Sequence, residues 1–468
     1  MFFKFKFLFS REKPNPFEAK KQCMNNNFNI LYVFGISLIS ALGGYLFGFD
    51  FAVITGGLPF LVDQFGLGAA GEGGTTASMA IGAVIGCMIA GSIADHYGRK
   101  PGLIIAAAIF TLSSLIMGFA PVFIVFVLGR FFAGIGVGMA SVLSPLYIAE
   151  SVPGKYRGRM VSVYQLTIVT GIVITHLINF GLKDTGAEAW RWMFGLGAIP
   201  SLLFLLGVLL LPESPRWLIQ NKQNKAASKI LTKMGGEKFA DKSLRDIILT
   251  LQGEKKVYVR ELFRKPLFFL LILGIGLAVF QQWCGINVVF NYTARIFESI
   301  GASRSEQLIQ AVYIGIINLI FTIIAMLLVD KLGRKPLMLL GAGGLAVLYL
   351  VIALILMKGQ GNLLAPFILA AIATYAVSLA PVTWVLISEI YPNRIRGKAM
   401  TISTVALWIA YSILVGTFPI MAKYLGAHVP FIAYAIICIL GFIFIRYTLI
   451  ETRGKTLEQI EKEFNKNN

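Results

Sequence analysis

The chain has 468 residues, 57% of them AVILMFWYC and only 14% charged, with 42 Lys and Arg against 23 Asp and Glu for a net charge of +19. This apolar share exceeds the roughly 45–50% usual for a globular domain, so an ordinary soluble domain is excluded. The four cysteines, Cys23, Cys87, Cys284 and Cys438, lie far apart without disulfide or zinc spacing, and no metal or cofactor is expected.

In chain order, the opening MFFKFKFLFSREKPNP is basic and aromatic, too short to span a bilayer and not followed by a small-residue cleavage site; residues 1–30 are read as a cytoplasmic tail. Apolar runs long enough to cross a membrane follow near 31–61, 75–94, 101–119, 122–149, 160–182 and 192–211. After a polar stretch at 212–265 come six more, near 266–296, 307–329, 336–357, 363–390, 399–425 and 429–449. The reading is an all-α membrane protein: a six-helix bundle over 31–211, a cytoplasmic helical linker over 212–265, a second bundle over 266–449 and a tail over 450–468. Alternate loops and the two tails hold 35 of the Lys and Arg residues; the opposite side holds 6, and Arg130 sits inside a span. By the positive-inside rule both termini face the cytoplasm of a cell inner or plasma membrane. The charge asymmetry also explains +19 without nucleic-acid binding.

The first span carries an acid, Asp50 in GYLFGFD, and the fourth carries Arg130; a charge at mid-bilayer costs roughly 2.5–3.5 kcal/mol and marks function. In the fifth span His176 follows Gln165 on the same face, three turns toward the outside, and is expected to be hydrogen-bonded or solvated near the helix end. The linker has helical stretches such as 222–234, and no GxxxxGK[ST] loop occurs, which argues against ATP drive. The seventh span reads QQWCGINVVFNY from Gln281 to Tyr292. Amides in apolar surroundings need partners. On an unbroken helix Gln282 and Asn287 lie about 140° apart, so they converge only if the helix breaks, which Gly285 permits. Asn287 and Asn291 share a face. These amides suit a neutral, hydroxyl-rich solute; the alternative is that they only hold helices together.

The chain repeats itself. Asp95 to Pro101 (DHYGRKP) recurs as Asp330 to Pro336 (DKLGRKP), Glu150 and Arg157 recur as Glu389 and Arg396, and Glu213 recurs as Glu451, at offsets of 235, 239 and 238. Asp50 and Gly48 answer Asn287 and Gly285 at an offset of 237. Two parallel six-span repeats place a substrate site between them near the midplane. The charged set Asp95, Arg99, Glu150, Arg157, Glu213, Arg216, Asp330, Arg334, Glu389, Arg396 and Glu451 falls on the cytoplasmic side. It suits ion pairs that form when the halves close there and part when they open.

The turn GSIADHYGRKPGL resembles the signature of the major facilitator superfamily, and Gly129-Arg130, PLYIAE, RGR, PESPRWL, QQWCGIN, DKLGRKP, SEIYP and RGK together resemble its sugar porter family, in family order over nearly the whole chain. The resemblance implies sugar contacts from Gln281, Gln282 and Asn287, from Gln165, Asn318 and Trp384, and from Phe47; Ile172 resembles facilitative glucose carriers. Asn291 stands where many glucose transporters have Tyr, Leu407 beside Trp408 replaces a frequent amide, and the tail lacks the usual proline before Glu451. Trp408 is counted with the sugar-site candidates. The resemblance also places Arg130 near Asp50.

The expectation is a sugar/proton symporter working by alternating access, not an enzyme. Asp50 is the proton site, Arg130 its partner, and the substrate a monosaccharide of the glucose, galactose, xylose or arabinose class, carried by a functional monomer in the lipid bilayer. A facilitative uniporter fits the same sugar residues without coupling; a drug/proton antiporter and a non-transporting sensor are further readings.

Overall fold

A helix needs about 20 residues to cross the hydrocarbon of a bilayer, and its backbone must be satisfied internally while it does so. The computed structural model describes residues 28–253, 259–263, 267–392 and 395–453. Within them, twelve helical segments are long and apolar enough to span. The first half comprises α1 (Ile30–Phe65), α2 (Ala69–His96), α3 (Arg99–Gly118), α4 (Phe123–Ser151), α5 (Gly154–Leu182), and a sixth span formed by α6 (Ala189–Gly195) and α7 (Ala198–Leu210). Two helices follow outside the spans, α8 (Pro215–Gln220) and α9 (Asn224–Gly253). The second half comprises a seventh span made of α10 (Leu267–Trp283) and α11 (Ile286–Glu298), then α12 (Arg304–Leu332) and α13 (Arg334–Lys358). A tenth span made of α14 (Leu364–Val377) and α15 (Leu379–Ile390), then α16 (Arg396–Leu425) and α17 (Val429–Thr448), complete it. Most of the opening tail, the Asp330 side chain and the end of the closing tail lie outside the described residues.

Two spans read as continuous are interrupted. The sixth turns at Leu196 and Gly197, where a Cβ on Gly197 would come within 2.6 Å of the Phe49 ring. The tenth breaks at Ser378 (φ −124°, ψ −88°), whose hydroxyl packs so close to Gly341 of α13 that a Cβ there would lie 2.2 Å away. Both breaks accommodate a neighbouring helix, and the residues on either side are apolar, so hydropathy runs through them. Helices α2 and α4 approach through small residues: a methyl on Gly82, Gly86, Gly134 or Gly138 would meet a facing carbonyl at 2.0–2.3 Å. Such four-residue spacing of glycines lets membrane helices pack backbone to backbone.

The repeated turn is built the same way twice. Between α2 and α3, Gly98 takes φ +106°, and the Glu213 carboxylate accepts from the Arg99 and Lys100 backbone N–H groups at 3.0 and 3.2 Å. Between α12 and α13, Gly333 takes φ +93°, and Glu451 accepts from Arg334 and Lys335 N–H at 3.0 Å each. A carboxylate at a helix N-terminus satisfies orphan donors and opposes the helix dipole. The Arg99 guanidinium donates to Glu150 at 2.8 Å, and Ser214 holds the other Glu150 oxygen at 2.6 Å. Arg334 donates to Glu389 at 2.9 Å, and Thr452 holds Glu389 at 2.5 Å. Thus Glu451 caps α13 without a preceding proline.

The linker helix α9 kinks at Gly235 and Gly236. Leu218, Ile219 and Ala227 form a small core beneath it with Ile247, Ile248 and Leu251. It is tied to the first span by the Asn29 N–H donating to Met234 O at 2.8 Å.

On the basic face, which carries the linker and the repeated turns, the two repeated-turn sets, Arg99 with Glu150 and Arg334 with Glu389, are each paired within one half. Two ion pairs that join the halves lie at the opposite, sparse face. There Arg295 grips Glu72 with two hydrogen bonds, at 2.6 and 3.0 Å, and Arg304 meets Asp63 at 2.6 Å while lying 4.5 Å from the Phe60 ring centroid. Just inside, the Thr55 hydroxyl donates to Phe290 O at 2.6 Å across the same boundary. Arg295→Glu sets like charges against Glu72 and should lower the closed-to-open ratio of this face about tenfold, the worth of one charge-assisted pair. Spin labels on exposed Thr185 and Gln360 should then show a longer distance that Glu72→Arg in the same chain restores; an unchanged distance would show that the pair does not hold the face shut.

Candidate functional site

The site grows out of the break in the seventh span. Helix α10 ends at Trp283, Gly285 takes φ +86°, and α11 restarts at Ile286. A side chain at Gly285 would be disfavoured by that φ, and its Cβ would fall 2.4 Å from the Tyr434 ring. The break swings Asn287 back toward Gln282, and the Asn287 amide donates to Gln282 Oε1. Gln282 Nε2 donates to Gln281 Oε1 at 2.6 Å, and Gln281 Nε2 donates to the Tyr375 hydroxyl at 2.7 Å. At the other end Asn291 Nδ2 donates to the Asn287 carbonyl at 2.6 Å, and Tyr411 donates to Asn291 Oδ1 at 3.1 Å. The side chains of Asn287, Gln282 and Gln281 thus form one buried, directional relay that ends at Tyr375, and Asn291, met by Tyr411, adjoins it through the Asn287 backbone carbonyl.

An amide offers two donors and a two-lone-pair acceptor, so each member keeps capacity for a ligand. Gln165 on α5 is half-buried and Asn318 on α12 is buried; neither has a hydrogen-bond partner among the described residues. Phe47 and Trp408 are brought together across the halves at 5.4 Å between ring centroids, Ile172 is buried on α5, and Trp384 is half-buried on α15. Phe51 continues the aromatic contact, stacking on Tyr411 at 5.8 Å and meeting Phe290 at 5.6 Å. The tyrosines at 375 and 411 carry no sequence signal of their own, since a tyrosine in an apolar span looks like packing; a buried amide's need for a partner is the available signal. A cleft of about 380 Å³ on the sparse face, lined in part by Glu72, Arg295 and Phe431, is separate, since no relay amide lines it.

Asp50 and Arg130 are buried together, 0% and 2% exposed, with Arg130 Nη1 donating to Asp50 Oδ1 at 2.7 Å. The guanidinium also lies 5.6 Å from the Phe194 centroid. Asp50 Oδ2 and Arg130 Nε have no hydrogen-bond partner among the described residues. The two repeat-related positions, Asp50 and Asn287, differ in backbone. Helix α1 runs unbroken through Gly48, whose absent Cβ lets Ile168 O approach the position within 2.0 Å, whereas Gly285 interrupts its span.

His176 departs from expectation. It is 1% exposed and neither ring nitrogen has a partner among the described residues, because α5 packs against α12 there, with the ring 3.2 Å from the Cβ position of Gly315. Among the charged residues of the basic face, Asp95 is exposed and lies 3.8 Å from Arg99, Arg157 is exposed, Arg216 is half-buried, and Arg396 donates to Tyr391 O at 3.3 Å. Burial raises the Glu213 carboxyl above its ordinary pKa, against the lowering pull of the hydrogen bonds from Ser214, Lys100 and Arg99.

A family profile described as sugar (and other) transporter matches residues 36–464. The arabinose-proton symporter of Bacillus subtilis is 37% identical over 92% of this chain and 95% of its own. The D-xylose-proton symporter of Escherichia coli is 37% identical over 94% and 97%. Among solved structures, the partially occluded inward open conformation of the E. coli xylose transporter superposes with a TM-score of 0.82 at 34% identity, covering 91% of this chain and 99% of that one.

Gly285→Ala should destabilise the fold by about 3 kcal/mol, combining a forbidden φ with overpacking against Tyr434. Gly35→Ala, at a helical position with nothing within 4 Å of its Cβ, should be neutral or stabilising by up to about 1 kcal/mol. Thermal unfolding of both variants in detergent checks the contrast; equal melting temperatures would remove the claim that Gly285 is required.

Proposed function

The chain belongs to the sugar (and other) transporter family, and we propose that it is a proton-coupled monosaccharide symporter working by alternating access. The observation that carries the coupling is the buried Asp50–Arg130 pair on α1 and α4. The seventh-span amides, with Gln165, Asn318 and Trp384, take a sugar of the glucose, galactose, xylose or arabinose class; the relatives named for arabinose and xylose support that class. The basic face lies in the cytoplasm with both termini, in the cell inner or plasma membrane, and the monomer is the working unit.

Protonation acts on closure through α1. A buried ion pair is stable only while both partners are charged. Protonation of Asp50 at its open Oδ2 removes one charge and frees Arg130. Asp50 shares α1 with Phe47, Phe51 and Thr55, each of which touches the second half. A shift of α1 that relaxes the broken pair therefore acts directly on the contacts that close the sparse face. Amides and rings together match a pyranose or furanose: the amides exchange hydrogen bonds with its hydroxyls, and a ring such as Trp384 covers its C–H side.

Coupling to one charge moving through 100 mV supplies about 2.3 kcal/mol, enough for roughly 50-fold accumulation. Asp50→Asn keeps the shape and removes the titrating group. In proteoliposomes it should abolish uphill uptake driven by a pH gradient and retain sugar counterflow; persistent accumulation in the variant would overturn the proton-site assignment, and a wild type that itself fails to accumulate would leave a uniporter.

A further inference from the structure

We propose that Tyr411 is a specificity-determining residue of the sugar site, setting the orientation of Asn291 and with it forming the seat of a single sugar hydroxyl. This rests on the reading of the seventh-span amides as the sugar site.

The argument starts from a carbonyl. Asn291 Nδ2 donates to the backbone O of Asn287, and a carbonyl can only accept, so the amide nitrogen must point there and Oδ1 must point away. The group that meets Oδ1 is the Tyr411 hydroxyl at 3.1 Å, and it must be the donor. The proton of Tyr411 is thereby committed, and its oxygen lone pairs remain as acceptors. One N–H of Asn291 also remains. A sugar hydroxyl is the small group that can donate to one and accept from the other.

Tyr411 itself has little freedom. Its ring stacks on Phe51 of the other half with an interplanar angle of 30°, and the Trp408 ring meets it edge-on at 5.7 Å. The residue is buried on α16. A rigid hydroxyl is a selective one, because an analogue that lacks its partner group leaves buried polar atoms unpaired. Without the Tyr411 hydroxyl the Asn291 Oδ1 becomes an open acceptor, and the position would lose its preference. The stack on Phe51 also makes Tyr411 a contact between halves, so the residue that reads the sugar belongs to the surface that parts when the sparse face opens.

The test is a double-mutant cycle in proteoliposomes, using radiolabelled D-xylose, L-arabinose and D-glucose and taking the sugar with the fastest wild-type counterflow as probe. Tyr411→Phe preserves the ring and its stacking. It should raise the half-saturation concentration about tenfold, as loss of a buried hydrogen bond does, while maximal counterflow stays within about twofold. Asn291→Ala should do the same, and the double variant should be no worse than Asn291→Ala alone, since the two residues act as a unit. Additive effects, or an unchanged half-saturation in Tyr411→Phe with the melting temperature of the wild type, would overturn the proposal. Gln282→Ala separates the two failures: if it weakens sugar binding and Tyr411→Phe does not, only this inference falls, and if neither matters, or no sugar is carried, the reading of the site falls with it.

Discussion

Polar groups surrounded by hydrocarbon must find partners inside the protein or pay several kcal/mol each, and the centre of this molecule is arranged around that constraint. The break at Gly285 lets the Asn287, Gln282 and Gln281 amides and Tyr375 satisfy one another along one buried line, with Asn291 and Tyr411 adjoining it at the Asn287 backbone carbonyl. The relay fixes these amides against one another. Each amide is held in one orientation before any solute arrives, so the ordering entropy of binding falls on the solute and not on the protein.

Helix α1 links this site to the ion pair. Along one helix, Phe47 touches Trp408, Asp50 holds Arg130, Phe51 stacks on Tyr411 and Thr55 bonds to the Phe290 carbonyl. Buried pairs are poor sources of net stability and strong sources of conditional geometry: removing one charge is costly where removing both is tolerable. The same helix ends near Asp63, one of the acids clamped by the second half at the sparse face. Charge state, aromatic contact and closure are therefore carried on one rigid element.

The two halves share their scaffolding and differ at their centres. Each holds its repeated turn with a glycine at positive φ, a carboxylate on the next helix N-terminus and an arginine paired to a second acid. These sets sit within a half, so each bundle can move as a body. At the equivalent central positions one half carries an acid on a continuous helix and the other an amide beside a break. Repetition supplies the frame, and divergence at one register supplies two different chemistries.

Much was already legible in the chain: twelve spans, the parallel repeat, the break at Gly285 and the amides it gathers, because hydropathy, motif offset and glycine conformation are local properties. Asp50 and Arg130 stand out singly, since any charge within an apolar run is conspicuous. What only the tertiary structure decided is pairing at a distance. Arg295 with Glu72, Arg304 with Asp63, and the tyrosines that meet the amides are more than ninety residues from their partners, and nothing in their neighbourhoods distinguishes them. The breaks at Gly197 and Ser378 and the burial of His176 were hidden for a related reason: each is set by the helix packed against it, and a span's own composition does not record which helix that will be.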